Sequence, residues 1–156
     1  MSPEFFMQRA VALSRRGMED GRGGPFGAVV VSEGRIVGEG ENRVTSTNDP
    51  TAHAEMVAIR AACAALSRFD LHGCDIYTSC EPCPMCLSAI YWARLDHVYY
   101  ANGRADAARI GFDDALIYEE VAKPPAARRV PMVRLVVKEA KEVFEGWAKK
   151  PDRIPY

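Results

Sequence analysis

The cysteine-rich stretch SCEPCPMC, residues 79–86, is where side chains of suitable type and spacing could do chemistry. Cys83 and Cys86 form a C-x-x-C pair directly after Pro82, and the triplet His53-Ala54-Glu55 lies upstream. One imidazole and two thiolates would give zinc three ligands and leave its fourth tetrahedral position open. An open position is typical of a catalytic zinc site, because a structural site fills all four positions with protein ligands.

Glu55 is the carboxylate that such a site would use. A catalytic zinc ion lowers the pKa of a bound water to about 7, so a nucleophile is available at neutral pH. Glu55 follows His53 closely in the first turn of a predicted helix, near the metal but poorly placed to be a second ligand. A carboxylate in that place can take a proton from the water and pass it to a substrate nitrogen.

Each half of this pattern, taken alone, has ordinary explanations. A single H-x-E carries almost no information, and a single C-x-x-C occurs in redox pairs, in half-sites of structural zinc and as buried thiols. The Pro84-Met85 spacer and the upstream histidine disfavour a redox pair, and no second C-x-x-C or C-x-x-H is present for a structural site. The combination therefore favours catalytic zinc. Cys80 is predicted to lie in the pocket wall, and core or surface positions are predicted for Cys63, Cys74, His72 and His97.

Both halves of the pattern stand at the start of a strongly apolar helix. The segment 51–66 has Arg60 as its only charge after Glu55, so the helix that it predicts, capped near Thr51, is buried on most sides. The segment 85–94 predicts a second, nearly all-apolar helix. The dipoles of two helix N-termini would favour thiolate ligands and an activated water between them.

Around these helices the sequence alternates strand and helix patterns. A capped helix begins at Ser2-Pro3-Glu4, and Glu33-Gly34 marks a hairpin within residues 25–42. Strands are also predicted at 74–80, 96–101 and 132–137, a helix that gives way to irregular chain at 104–121, and a helix at 138–150. This order predicts one α/β domain over residues 1–156, with both helix N-termini at the same edge of its sheet.

Composition narrows the classes of partner. The 156-residue chain has a formal net charge of −1, which disfavours a protein that grips a long phosphate backbone, so no nucleic-acid partner is expected. No apolar run approaches the roughly 20 residues of a membrane span. The N-terminal segment lacks the pattern of a secretory signal. We therefore expect a cytoplasmic protein without a membrane partner.

H-x-E followed by P-C-x-x-C is the signature of the zinc nucleobase deaminases, and the sequence resembles this cytidine-deaminase-like superfamily along its whole length. It is most similar to the bacterial guanine deaminase branch in the segments GGPFGAVVV, NDPTAHAEM, YTSCEPCPMCLSAIYWAR and GFDDALIYEE. The resemblance implies a three-layer α/β sandwich with a five-stranded mixed sheet flanked by helices. It also implies one zinc ion per subunit, held by His53, Cys83 and Cys86, with Glu55 as the proton shuttle.

The resemblance implies a set of substrate contacts as well. Asn42 would hydrogen-bond the base, although an asparagine after a strand also commonly caps a turn. Phe26 would stack on a purine ring and Trp92 would wall the pocket, with core packing as the alternative for both. Ala54 would offer its backbone N–H, which has no intrahelical acceptor in the first turn.

The segment GFDD is the main indication of substrate. Guanine presents its N1–H and 2-amino donors side by side, and a carboxylate accepts two such donors well. Asp113 and Asp114 are the candidates, the resemblance favouring Asp114, and a solvated acidic loop is the alternative. The resemblance also implies a homodimer that exchanges the C-terminal segment 138–156, so that Tyr156 reaches the partner's active site.

The expected activity is zinc-dependent hydrolytic deamination of the purine base guanine to xanthine and ammonia. A tRNA adenosine deaminase is an alternative with the same zinc core, but it would need a more basic C-terminal helix than KEAKEVFEG. Deamination of guanosine, cytosine or an aminotriazine, and a non-catalytic zinc protein, remain open.

Overall fold

The fold is described from a computed structural model that covers residues 1–156. Helices and strands alternate, as the sequence patterns predict. In chain order the elements are α1 (Pro3–Glu19), β1 (Gly27–Ser32), β2 (Arg35–Glu41), α2 (Val44–Thr47), α3 (Ala54–Leu66), β3 (Cys74–Cys80), α4 (Pro84–Trp92), β4 (His97–Asn102), α5 (Arg104–Arg109), α6 (Ala115–Ala122), a 3₁₀ turn (Pro125–Ala127) and α7 (Lys138–Lys149). None of the helices is long and apolar enough to cross a membrane.

The N-terminal helix and the hairpin form where the sequence predicts them. Ser2 caps α1, its hydroxyl oxygen accepting the Phe5 N–H at 3.3 Å, and Pro3 is the first helical residue. Glu33 and Gly34 have φ values of 49° and 72°, the left-handed pair that a tight hairpin turn of matching twist requires. This turn joins β1 to β2.

The four strands form one mixed sheet in the order β2-β1-β3-β4. β1 is antiparallel to both β2 and β3, and β3 is parallel to β4. β2, β3 and β4 therefore point the same way, and their carboxyl ends share one edge of the sheet. The chain leaves this edge to enter α3 after β2 and α4 after β3.

Helices cover both faces of the sheet, because β1 alternates its side chains between two cores. Val29 and Val31 pack with Phe6 and Leu13 of α1 on one face. On the other face the β1 residues Ala28 and Val30 share a core with side chains of α3 and α4, among them Ala58, Ala62 and Ile90.

Two glycines of β2 let α3 lie unusually close to the sheet. A Cβ added at Gly40 would overlap the Ala54 carbonyl, and one added at Gly38 would overlap the Ala58 carbonyl. The start of α3 is thereby held against the end of β2.

The expected five-stranded sheet is wrong, because residues 132–137 belong to no strand ladder. The segment MVRLVV has the β-branched composition of a strand, but a strand also needs a neighbouring edge for its backbone N–H and C=O groups. Its side chains are instead among the most exposed apolar groups of the chain, with Val133 at 79% and Leu135 at 84% exposure.

Two element boundaries also differ from the sequence expectation. α3 is capped at His53 rather than near Thr51, because the Thr51 N–H and hydroxyl both donate to Asp49 Oδ1 at 2.9 and 2.7 Å in a turn of their own. Residues 115–122 form helix α6 where irregular chain was expected.

The chain divides into two compact units, residues 1–114 and 115–156. The first contains the sheet and helices α1 to α5. In the second, the Arg128 guanidinium donates to the carbonyls of Glu120 and Val121 at 2.9 and 3.3 Å, and so satisfies the carboxyl end of α6.

Candidate active site

His53 and Cys83 occupy equivalent positions at two helix starts. Each is the N-cap residue of its helix, α3 and α4, with an extended backbone, and neither uses its side chain to cap the helix. Cys86 lies one turn into α4 and is fully buried. Both side chains of the C-x-x-C pair therefore point to the same place as the imidazole.

The three predicted ligands come together as a cluster. The His53 Nδ1 atom lies 3.5 Å from the Sγ atoms of both Cys83 and Cys86, and all three ligand atoms lie within 4.8 Å of one another. A tetrahedral zinc ion with ordinary Zn–N and Zn–S bonds separates an N ligand from an S ligand by about 3.5 Å. The donor set and its spacing therefore fit zinc.

Glu55 lies beside this cluster in the first turn of α3. Its Oε2 atom accepts from the Cys86 thiol at 3.4 Å, and its side chain is buried, with 8% of the residue exposed. Burial raises the pKa of the Glu55 carboxyl above its usual range. The site thus holds one carboxylate that can exchange a proton with a group bound at the cluster.

The cysteines of SCEPCPMC are electrostatically different. The hydrogen bond from Cys86, supported by that of His53, lowers the pKa of Cys83 to about 4, while the same bond to Cys83 raises the pKa of Cys86. The hydrogen bond with Cys83 also raises the pKa of His53. Burial raises the pKa of Cys80 to about 11. Cys80 ends β3, outside the cluster, as a neutral thiol at neutral pH.

Comparison with known proteins identifies the family. A family profile described as "Cytidine and deoxycytidylate deaminase zinc-binding region" matches residues 1–102, which include the whole cluster. The chain belongs to this deaminase family.

Two relatives that match almost the whole chain differ in activity. The guanine deaminase of Bacillus subtilis (strain 168) is 50% identical over 156 residues, all of both chains. The tRNA-specific adenosine deaminase of Aquifex aeolicus is 34% identical over 150 residues, 96% of each chain. The X-ray structure of the Bacillus subtilis guanine deaminase superposes with a TM-score of 0.97 over 100% of this chain and 99% of that one.

Asn42 lies at the same edge of the sheet as the cluster. It directly follows β2, and the next residue, Arg43, donates its backbone N–H to Ala52 at 3.0 Å, one residue before His53. The Asn42 side-chain oxygen accepts the N–H groups of Gly24 and Val44 at 3.3 and 3.1 Å. Asn42 therefore does cap a turn, as the alternative interpretation predicts. The same two hydrogen bonds fix which end of its amide is the oxygen and which is the nitrogen.

Phe26 has an aromatic neighbour that the sequence did not suggest. Its ring meets that of Phe112 edge to face, with 4.9 Å between centroids and 88° between planes. Phe112 belongs to the GFDD segment, so this loop returns to the loop before β1. The only sequence signal for this contact was that Phe112 is an aromatic residue within GFDD, the segment predicted to bind substrate.

Asp114 is distinguished from Asp113 by its surroundings. The Asp114 carboxylate accepts the Arg104 Nε–H at 3.2 Å, and its side chain is 18% exposed, whereas Asp113 is an exposed residue. No sequence pattern indicated that Arg104 contacts Asp114. The two residues meet because helix α5 and the turn that follows it bring the chain back towards the start of the helix. Asp114 is therefore the more buried of the two carboxylates, and Arg104 fixes one of its oxygens.

Three further predicted contacts stay predictions. Ala54 is the first residue of α3 and buried, so its N–H stands in the turn that faces the cluster. Trp92 is the last residue of α4, about 13 Å along the helix from Cys83, and 67% exposed. Tyr156 lies in the second compact unit and is 73% exposed.

Proposed function

We propose that the chain is a guanine deaminase, a zinc-dependent aminohydrolase that converts guanine and water to xanthine and ammonia. The observation that carries the chemistry is the placement of the Glu55 carboxylate 3.4 Å from Cys86, within a His53–Cys83–Cys86 cluster spaced for zinc. The choice of guanine is supported by the 50% identity to a guanine deaminase along the full length of both chains.

In this proposal His53, Cys83 and Cys86 hold one zinc ion. When bound, the ion acts as a Lewis acid that makes water nucleophilic at neutral pH. Glu55 accepts a proton from the attacking water as the new C2–O bond forms. The same carboxyl delivers that proton to the purine ring nitrogen, then takes the second proton from the new C2 hydroxyl and passes it to the exocyclic amine, so that the C2 carbonyl forms, the C2–N bond breaks and ammonia leaves.

The remaining contacts orient the base. Asp114 accepts the N1–H and 2-amino donors of guanine, the two groups that distinguish it from adenine at this edge. Phe26, braced by Phe112 at 4.9 Å, stacks on the ring, while Asn42 and the backbone N–H of Ala54 hydrogen-bond the base. Trp92 closes the pocket wall. These positions hold guanine with C2 towards the cluster and Glu55.

The deaminase domain spans residues 1–156 in this proposal, and it works as a homodimer that exchanges the segment 138–156. Several large apolar side chains of the second unit are exposed, including Val133, Leu135 and Phe144 at 79%, 84% and 80%. Surfaces of this kind mark sites of association. The exchanged segment would carry Tyr156 into the active site of the partner.

A substrate panel tests the proposal. The zinc-loaded protein is incubated separately with guanine, guanosine, adenine, cytosine, an aminotriazine and an anticodon stem-loop of tRNA, and ammonia release is measured. Guanine should give by far the largest kcat/KM. Preferred turnover of the stem-loop, with a rate that falls steeply as salt rises, would instead favour the tRNA adenosine deaminase alternative.

A further inference from the structure

Hydrogen bonds allow the side-chain amide of Asn42 only one of its two flipped orientations. Its Oδ1 atom accepts two backbone N–H groups, those of Gly24 at 3.3 Å and Val44 at 3.1 Å. Because an amide oxygen and an amide nitrogen have opposite hydrogen-bonding roles, these two donors fix which end is which. Asn42 therefore presents its NH₂ group, and only donors, to a bound base.

The loop before β1 wraps around Asn42 at very close range. The Asn42 backbone N–H donates to the Phe26 carbonyl at 3.1 Å. A Cβ at Gly23 would overlap both the side-chain oxygen and the carbonyl of Asn42. The orientation of the Asn42 side-chain amide thus depends on the position of the backbone of residues 22–26.

Glu41 ties this loop to the end of β2. Its side chain is 1% exposed, and its carboxylate pairs with the guanidinium of Arg22, the residue directly before Gly23 and Gly24. Arg16 of α1 supports it at 3.3 Å, and Arg43 lies at 3.9 Å. One buried carboxylate therefore joins α1, the loop and the residue next to Asn42.

We propose that the Glu41–Arg22 ion pair is a positioning pair, which holds the Gly24 N–H against Asn42 Oδ1 and so makes the site select bases that offer an acceptor to the Asn42 amide. This inference rests on the proposed function for its substrate. The positioning itself is a property of the loop and can be measured without substrate.

The chain provides a matched control on the same strand. Glu39 lies two residues before Glu41 on β2 and pairs with Arg9 of α1 through two bonds of 2.6 and 2.7 Å. This pair joins β2 to α1 but includes no residue of the glycine loop. Glu39→Gln therefore removes an ion pair from the same strand, between β2 and α1, without touching the loop or Asn42.

The first readout needs no substrate. Hydrogen exchange of the Gly24 N–H is measured by NMR in wild type, Glu41→Gln and Glu39→Gln. Exchange at Gly24 should accelerate about tenfold or more in Glu41→Gln, because the loop opens locally, and should stay unchanged in Glu39→Gln. Equal protection of Gly24 in all three proteins would overturn the positioning role.

The second readout is kinetic. With guanine, Glu41→Gln should raise KM about tenfold and change kcat less, and it should have almost no further effect in an Asn42→Ala background. Effects that simply add would mean that Glu41 does not act through Asn42. Arg22→Ala, which keeps Arg16 beside Glu41, is the second variant if Glu41→Gln folds poorly.

The two proposals fail differently. If wild type does not deaminate guanine, but Gly24 exchanges faster in Glu41→Gln than in wild type and Glu39→Gln, only the proposed substrate is contradicted. A wild-type protein that deaminates guanine, with Glu41→Gln and Glu39→Gln alike in both readouts, contradicts the positioning role alone.

Discussion

The Nδ1 atom of His53 lies 3.5 Å from the Sγ atom of Cys83, although the two residues are 30 positions apart in the chain. Each is the N-cap of a helix that leaves the carboxyl edge of the sheet. A distance of this size is what two ligands of one tetrahedral zinc ion require. Metal binding and catalysis therefore depend on how the sheet aligns α3 and α4.

The first prediction concerns the cysteines of SCEPCPMC. Cys83→Ala should lose both zinc and activity and also unfold more easily, because metal binding contributes to folding free energy. Zinc content by mass spectrometry, ammonia release and thermal unfolding measure the three effects. Cys80→Ser is the matched control, and it should keep its zinc because Cys80 lies outside the cluster. Loss of zinc from Cys80→Ser would contradict this ligand assignment.

The second prediction concerns proton transfer. Glu55→Gln keeps the size of the side chain and removes the group that accepts and returns the proton. The variant should keep its fold and its zinc, while kcat falls by about 10²- to 10⁴-fold. Steady-state kinetics and metal analysis on the same preparation decide the matter. Near wild-type turnover by Glu55→Gln would assign the shuttle to another group.

The third prediction concerns base recognition. Asp114→Asn replaces one acceptor with a donor that would face the donors of guanine, so kcat/KM for guanine should fall by about 10- to 100-fold. Asp113→Asn, at the exposed neighbouring position, should change it little. The reverse ranking of the two variants would assign recognition to Asp113.

The fourth prediction concerns stability and pH. Burial acts to raise the pKa of Glu41, but the hydrogen bond from Arg22 and the charge of Arg16 outweigh it and hold that pKa below 4.5. A carboxyl whose pKa is lowered by folding stabilises the fold above its unfolded pKa, and this contribution is lost as pH falls through the folded value.

Glu41→Gln should therefore lower the free energy of unfolding by about 1–3 kcal/mol at neutral pH. The difference from wild type should shrink as the pH is taken below 4.5. Urea unfolding across this range measures it. A difference that stays constant with pH would mean that the charge of Glu41 does not stabilise the fold.

The fifth prediction concerns the exchanged segment. If Tyr156 serves the partner's site, a mixed dimer of Glu55→Ala and Tyr156→Ala subunits contains one site with both Glu55 and Tyr156 intact. Each variant alone should be poorly active, and mixing after unfolding and refolding should restore part of the activity. No restoration, with mixed dimers shown to be present by mass, would place Tyr156 in its own subunit's site.

Local sequence signals predicted the elements that lie next to the chemistry. Ser2-Pro3 predicted the start of α1, and Glu33-Gly34 predicted the hairpin. H-x-E and C-x-x-C predicted a cluster that the structure brings together. In the first two cases the signal was a residue type whose backbone preference is satisfied within a few positions. In the third it was a pair of short motifs whose side chains suit a single metal ion, although the motifs are 30 positions apart.

Tertiary relationships were not predictable in this way. Residues 132–137 have strand propensity, but no sheet edge pairs with them. The partners of Asn42 and Asp114 were also invisible, because Gly24 is 18 positions from Asn42 and Arg104 is 10 positions from Asp114. Such contacts follow from the close approach of loops, which depends on packing rather than on local preference.

The most direct test of the account is product analysis with guanine and protein reconstituted with an equimolar amount of zinc. The account predicts that xanthine and ammonia appear in equal amounts, and that removal of zinc by a chelator abolishes both and restored zinc recovers both. A zinc-loaded, folded protein that leaves guanine unchanged would contradict it.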